Sequence, residues 1–157
     1  MGTNPLRTIE WAKSPFSSQI IFTEGREKIG SFFWVGSSSA KAFWKDNRFG
    51  FRTEGWLDKK VIAKDLEEKI MLDEVELSSF KEEAKLYLGR QIWNWRFRNF
   101  WQKEWAWVEG RQAIIRYRVT RSFWGERGQI AVSGDLAPQE EHRILLGLYL
   151  REYYELD

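Results

Sequence analysis

The stretch Ile144-Leu145-Leu146-Gly147-Leu148-Tyr149-Leu150 contains no charged and no strongly polar side chain. It lies in a segment with helical signals, behind a chain that otherwise has the pattern of successive strands. An α-helix has about 3.6 residues per turn, so this run covers its whole circumference. A helix that is apolar on all sides is buried on all sides. The sequence therefore predicts a mainly β fold, a closed antiparallel β-barrel that encloses a hydrophobic C-terminal α-helix.

Polar residues flank the apolar run and mark the ends of the predicted helix, which we place at about 138–154. Pro138 suits the first helical turn, where its missing N–H has no partner to lose, and Asp135 or Ala137 precedes it as the cap. Polar ends and an apolar middle are what a helix threaded through a closed sheet requires.

The chain before the helix divides into short strands separated by Gly, Asn, Asp and Ser. We expect strands within about 6–134 and a single domain spanning 1–157. The segment 77–88 fits either a short helix or two strands with a turn, and strand or irregular structure is favoured. The other predicted strands are 6–12, 19–23, 28–35, 40–44, 49–51, 60–64, 69–72, 92–97, 105–107, 115–119 and 129–133.

Apolar and basic residues alternate along the strands 92–97 and 115–119. A period of two places the apolar side chains on one face of a sheet and the arginines on the other. If the strands were neighbours, their arginines could form a cationic patch, whose planar guanidiniums suit phosphate. A wet sheet face whose charges oppose edge aggregation is the alternative. The candidate binding residues are Arg96, Arg98, Arg116 and Arg118.

The composition offers little for catalysis. With no Cys and one His, the chain lacks thiol nucleophiles, disulfides and His-rich metal sites. We expect His142 to be a solvated or capping residue, and the pairs Glu67-Glu68 and Glu140-Glu141 to lie on solvated faces. No glycine-rich phosphate loop is present. We expect no enzymatic activity, no metal and no cofactor.

Charge is unevenly distributed in a chain whose net charge is only +2. Segment 85–127 carries ten Lys or Arg against three acids, and segment 65–83 carries eight acids against two Lys. The two segments could pair within one molecule or across two. Neither the N-terminal residues nor any apolar run has the pattern of a signal or a membrane span, so we expect a cytoplasmic protein, peripheral to a membrane at most.

The order of many strands followed by an all-apolar helix resembles the tubby C-terminal-like superfamily, which includes LURP-one-related proteins and phospholipid scramblases. The likeness rests on 144–150, on the aromatic strands 92–97 and 105–107, and on Gly128-Gln129-Ile130. It implies a twelve-stranded barrel around a hydrophobic helix. Some members bind phosphoinositides through basic residues, but none of their binding residues matches a position here, so the resemblance supports fold more than function.

We therefore expect a non-enzymatic binding domain whose basic face meets anionic phospholipid headgroups or phosphate. Nucleic acid is a less favoured partner, although interleaved Trp and Arg also occur in single-strand binders. The alternative is a lipocalin-like carrier of a small apolar ligand, but a lipocalin helix packs outside its barrel and should be amphipathic. An enzyme based on carboxylates has no positive support. The sequence does not indicate a protein partner.

The architecture makes Leu146→Asp a sharp test. The substitution would place a charge where water cannot reach, so we expect it to abolish soluble folding. Expression, solubility and thermal melting measure the effect. A soluble variant that melts cooperatively would count against an enclosed helix.

Overall fold

The structure, a computed structural model, describes residues 6–99, 101 and 103–156. The N-terminal residues 1–5, which carry part of the expectation that no signal pattern is present, lie outside the described residues. These described residues form twelve strands, one 3₁₀ turn and one α-helix. The strands are Arg7–Lys13 (β1), Ile20–Glu24 (β2), Glu27–Trp34 (β3), Ser39–Trp44 (β4), Asn47–Glu54 (β5), Lys60–Asp65 (β6), Ile70–Leu77 (β7), Glu83–Leu88 (β8), Gln91–Phe97 (β9), Glu104–Glu109 (β10), Gln112–Ser122 (β11) and Gly125–Val132 (β12).

The strands close into one antiparallel barrel, which confirms the predicted fold class. Each strand pairs with its sequence neighbours, and β1 pairs with both β2 and β12 to close the ring. Closure removes the unpaired edges that an open sheet would present to solvent. The helix α1, His142–Leu156, follows β12 and a 3₁₀ turn at Pro138–Glu140.

Up-and-down connectivity gives the barrel two different ends, because successive connections alternate between them. We call the end at which α1 begins the turn end, and the end at which α1 finishes the loop end. The turn end carries the short connections 25–26, 45–46, 66–69, 89–90 and 110–111. The loop end carries 14–19, 35–38, 55–59, 78–82, 123–124 and, from the connection between β9 and β10, the described residues 98–99, 101 and 103.

The middle of α1 fills the inside of the barrel. The apolar side chains of 144–150 are fully buried, as their all-apolar pattern predicts. Along each strand, alternate residues point inward, and these join the helix in one hydrophobic cluster. The barrel wall thus supplies what the apolar helix needs on every side.

Four tryptophans on β9 and β10 face one side of the helix; this group, Trp93, Trp95, Trp105 and Trp107, is called the tryptophan wall. The indole N–H groups of Trp95 and Trp105 both donate to the carbonyl of Gly147, at 3.0 and 3.1 Å. One turn earlier, Trp107 donates to the carbonyl of Arg143. Buried indole N–H groups need partners, and the helix backbone provides them for these three, whereas the buried indole N–H of Trp93 has no hydrogen-bond partner among the described residues.

Gly147 permits this close approach of helix and wall. A Cβ at this position would overlap the Tyr117 hydroxyl and lie 2.8 Å from Trp107 Nε1. The Tyr117 hydroxyl itself donates to the carbonyl of Ile144, at 2.7 Å. A larger residue would therefore push the helix away from the groups that hydrogen-bond to it.

The opposite side of α1 is held through Tyr149. Its hydroxyl donates to the carbonyl of Ser38 at 2.8 Å and lies 2.6 Å from the Thr53 hydroxyl oxygen. Its ring stacks on Trp34, with centroids 4.8 Å apart. The helix is thus hydrogen-bonded to the barrel on two sides.

Several predicted boundaries differ from the structure. The α-helix begins at His142, because Pro138–Glu140 forms a separate 3₁₀ turn. The ambiguous segment 77–88 is strand: it contains the end of β7, a loop and β8. Strand β7 extends to Leu77, beyond the predicted 69–72. The charged Asp73 does not interrupt it, because this side chain points into the barrel and has charged partners there.

The close packing at Gly147 gives a test in which two effects oppose each other. Helix propensity alone would make Gly147→Ala stabilising by about 1 kcal/mol. Overpacking against Tyr117 and Trp107 should outweigh this, so we expect a net loss of about 1–3 kcal/mol in the free energy of unfolding, measured with urea. Gly147→Ala with Tyr117→Phe should lose less than the two single changes together. A stabilised Gly147→Ala protein would contradict the close approach.

Candidate functional site

The four predicted arginines lie on the outer wall of the barrel, but their strands are not neighbours. Strand β10 lies between β9 and β11, so Ala106 separates Arg96 from Arg116. In the next row toward the loop end, Glu104 pairs with Arg118 across the sheet, and its carbonyl accepts the backbone N–H of Arg98. The arginines therefore form two rows with a short residue or an acid between them.

Three of the four arginines line one surface groove of about 260 Å³. Arg116 and Arg118 come from β11, and Arg98 comes from the end of β9. Ala131 supplies a small apolar side chain in the groove, which leaves room between the guanidiniums. The polar residues that share the groove are Thr8, Glu104 and Gln129.

Charge in the groove is only partly balanced. Glu104 binds Arg118, with 3.0 Å between Oε1 and the guanidinium nitrogen. Within the part of the chain that the structure describes, Arg98 and Arg116 have no ion-pair partner. Arg96 does not line the groove and instead lies opposite Glu83 of β8 in the register. We define the basic groove as Arg98, Arg116 and Arg118.

A second groove of about 470 Å³ continues from the first and shares Arg118 and Gln129 with it. It adds Arg127 from β12, which the sequence analysis did not select. The signal was present, because Arg127 and Gln129 alternate with inward-facing residues as the other outer residues do. Glu10 also lines this groove, so its positive charge is weaker.

A buried charged cluster closes the barrel interior at the start of α1, which corrects two expectations. His142 is buried rather than solvated, and its Nε2 lies 2.5 Å from Asp73 Oδ2. Arg143 donates to both oxygens of Asp73 and to Glu140. Its guanidinium carbon also lies 4.9 Å from the centre of the Trp93 ring. We call Asp73, Glu140, His142 and Arg143 the first charge cluster.

Glu141 is likewise buried, against the expectation of a solvated face. It accepts the indole N–H of Trp44 at 3.0 Å and pairs with Lys45 and Arg7. Glu141 lies between the 3₁₀ turn and α1, where the chain enters the barrel and meets the basic groups of Lys45 and Arg7.

A second charge cluster, Glu126, Arg151 and Glu152, lies at the end of α1. Arg151 is only 1% exposed. It donates to both oxygens of Glu126 at 2.9 Å and to Glu152 at 3.0 Å. It also lies over the ring of Trp105. Lys13, the last residue of β1, pairs with Glu152. The two terminal nitrogens of Arg151 thus have carboxylate partners, which allows its charge to be buried, whereas its buried Nε has no hydrogen-bond partner among the described residues.

One carboxylate in each cluster, Asp73 in the first and Glu126 in the second, has a lowered pKa. Burial alone would raise the pKa of Asp73, but hydrogen bonds from His142 and Arg143 lower it below its ordinary value. Burial would likewise raise the pKa of Glu126, but the hydrogen bonds and charge of Arg151, and then of Arg121, lower it to about 2. With every member facing a fixed partner inside the barrel, these clusters anchor the helix.

The acidic segment is only partly paired with the basic segment. Glu67, Asp73 and Glu74 pair with Arg48, Arg143 and Lys60 respectively, which lie outside 85–127 in the same molecule. Two other acids, Glu76 and Glu83, lie opposite Lys85 and Arg96 in the register of the sheet. Among the described residues, Arg98 and Arg116 keep positive charge without an ion-pair partner.

Comparison with protein-family models, with curated proteins and with solved structures finds no match for this chain. Among the described residues, no helix is both long and apolar enough to cross a membrane. The same residues contain no group of three or more His, Asp or Glu side chains arranged to hold a metal ion.

The second charge cluster predicts how acid weakens the fold. The folded-state pKa of Glu126, about 2, lies below its ordinary value of 4.5. The unfolded chain therefore takes up this proton first as the pH falls. The stabilisation is complete above about pH 5 and is lost between about pH 4.5 and pH 2. We expect it to be on the order of 2 kcal/mol.

Urea unfolding of the natural protein and of Glu126→Gln across this range measures the effect. The two proteins should differ most near neutral pH and converge in acid. Glu10→Gln serves as the control, because Glu10 is exposed and has no ion pair among the described residues. A stability difference that stays constant down to about pH 2 would contradict the assignment.

Proposed function

We propose that this protein is a non-enzymatic domain that binds phosphate groups of anionic lipid headgroups at a membrane surface through the basic groove. The observation that carries the proposal is the convergence of Arg98, Arg116 and Arg118 around one groove with a single acid among them. On this proposal the protein acts in the cytoplasm, peripheral to a membrane.

The chemistry of arginine supports this ligand. A guanidinium presents its N–H donors in a planar fork that matches two phosphate oxygens at once. Because the groove is open, the arginine side chains can reorient toward a headgroup without disturbing the barrel. Basic residues near an anionic membrane each contribute about 1 kcal/mol of attraction.

The alternative, a carrier of an apolar ligand, needs an internal cavity of a few hundred Å³. The interior is instead occupied by α1, and the side chains of 144–150 are fully buried against the wall. Ligand entry would require the helix to leave, together with both charge clusters. The geometry therefore favours binding on the outer wall.

The architecture also supports kinship with the tubby C-terminal-like superfamily as a proposal. The resemblance implied a twelve-stranded barrel around a hydrophobic C-terminal helix, and the chain has that architecture. The basic groove is nevertheless assigned from this chain's own residues, because no binding residue is carried over from relatives.

The test compares vesicles that differ only in charge. We expect cosedimentation with phosphatidylcholine vesicles that contain phosphatidylserine, weakened by salt, since screening shortens the reach of exposed charges. Arg98→Ala with Arg116→Ala should weaken this binding roughly ten-fold or more. A thermal-shift titration with inorganic phosphate distinguishes recognition of phosphate alone from recognition of a lipid surface.

The matched control is Arg26→Ala with Arg90→Ala, which removes the same charge from turns at the turn end. It should bind as the natural protein does, apart from a small effect of net charge. Equal binding to neutral and anionic vesicles, together with no response to phosphate, would refute the proposal. Equal losses for both double variants would assign the effect to net charge and would refute the groove.

A further inference from the structure

The most exposed large hydrophobic side chains all lie on connections at the loop end. Within the described residues, every large hydrophobic side chain that is at least 72% exposed belongs to this set. Phe80 reaches 97%, Phe16 95% and Trp56 89%. The other exposed large hydrophobics reach at most 64%. We call the set the aromatic rim: Phe16, Trp56, Leu57, Phe80, Trp101, Phe123 and Trp124.

The topology explains why these side chains share one end. They occupy the connections 14–19, 55–59, 78–82 and 123–124 and, at Trp101, the connection between β9 and β10. Each of these joins an odd-numbered strand to the next even-numbered one. In an up-and-down barrel all such connections lie on the same side. Residues far apart in sequence therefore surround one mouth of the barrel.

The turn end has the opposite character. Each of its connections 25–26, 45–46, 66–69, 89–90 and 110–111 contains at least one charged residue. At the loop end, 14–19, 35–38 and 123–124 contain none. Charged groups are costly to place in a bilayer, whereas Trp and other aromatic rings favour its interface. The other loop-end connections do carry charged residues, Asp58 and Lys59 in one and Lys81 and Glu82 in another, so the loop end would enter an interface at a lower cost than the turn end.

The spacing of the side chains in the aromatic rim favours a lipid bilayer over a folded protein as the partner. Phe123 and Trp124 contact each other, with ring centroids 5.2 Å apart. Phe16, Trp56 and Phe80 make no ring contact among the described residues. A folded partner would need a separate pocket for each isolated tip, whereas lipid chains and headgroups can surround each tip independently.

Cationic groups lie beside the aromatic rim. Lys59 and Lys81 line a surface cavity of about 400 Å³ between the loops that carry Leu57 and Phe80. On the outer wall, Arg98 links the loop of Trp101 to the basic groove. An anionic headgroup layer would therefore meet basic groups near Leu57, Phe80 and Trp101, although Asp58 and Glu82 lie in two of the same loops.

We infer that the loop end is a membrane-insertion surface, in which the aromatic rim enters the interfacial layer of a lipid bilayer while the barrel wall stays in water. The inference rests on the proposed function in one respect, that the protein meets a lipid surface. It uses different residues and a different force, since apolar insertion depends on buried area and the basic groove depends on charge.

The absence of Cys from the chain allows a direct test of insertion depth. A single cysteine introduced by Ser18→Cys or Ser79→Cys places an environment-sensitive dye at the loop end, and Arg90→Cys places it at the turn end. With phosphatidylcholine vesicles containing phosphatidylserine, we expect a blue shift and quenching by brominated lipid for the two loop-end dyes. The Arg90→Cys dye should remain in water.

Removal of rim side chains tests the energetics. Trp56→Ser with Phe80→Ser should reduce vesicle partitioning roughly ten-fold or more, since each ring contributes more than a factor of ten when buried. The matched control, Phe43→Ser with Tyr87→Ser, removes two half-exposed rings from the outer wall. The control should partition as the natural protein does.

The outcomes separate the two proposals. If loop-end dyes stay in water while Arg98 and Arg116 still govern binding to anionic vesicles, the insertion surface is refuted and the proposed function stands. If the dyes insert but the arginine variants bind normally, the proposed function fails and the insertion surface stands. A blue shift without vesicles that grows with protein concentration would identify a second copy as the partner and would refute insertion.

Discussion

The contact between the Gly147 side of α1 and the tryptophan wall fixes how the barrel closes around its helix. Three indole N–H groups and one phenol hydroxyl donate hydrogen bonds to backbone carbonyls of the helix. These bonds require the helix axis to lie close to β9 and β10, and only a residue without a side chain permits that distance at Gly147. The other strands surround the helix at the position that these contacts define.

Ion pairs fix both ends of the helix face that contains Gly147. Arg143 and Arg151 lie one turn before and one turn after Gly147, and each combines buried carboxylates with a tryptophan ring. Apolar burial alone would let the helix slide or rotate along the barrel axis. Paired charges at both ends define its register, because any shift would leave a buried arginine unsatisfied.

Patterns with a short period predicted the fold well. The all-apolar run and the period-two strands are local features, and local features determine which residues face inward. The first charge cluster was missed because it joins Asp73 to the helix across the barrel, a contact that no local pattern contains. The alternation along β7 does indicate the inward position of Asp73, because Asp73 lies two residues before Val75 and its side chain points into the barrel as that of Val75 does. His142 and Glu141 were assigned to solvent because both precede the apolar run, although the helix already lies inside the barrel at that point.

The candidate sites show the same limit. Alternation identified the outer-wall arginines, but their distance from one another depended on β10 lying between β9 and β11. The aromatic rim is harder still to find in the sequence. Each loop contributes only one or two of its residues, and the order of the strands along the chain has to be known before these loops can be assigned to one end of the barrel. Together these features give the molecule a charged end, an aromatic end and a basic wall between them.

Native-state hydrogen exchange of the helix amides tests the enclosed helix most directly. If α1 is locked inside the barrel, the amides of 145–150 can exchange only when the whole protein unfolds. Their opening free energies should then equal the global free energy of unfolding measured with denaturant. Opening at a clearly lower free energy, while the strand amides remain protected, would show that the helix leaves an intact barrel and would contradict the account.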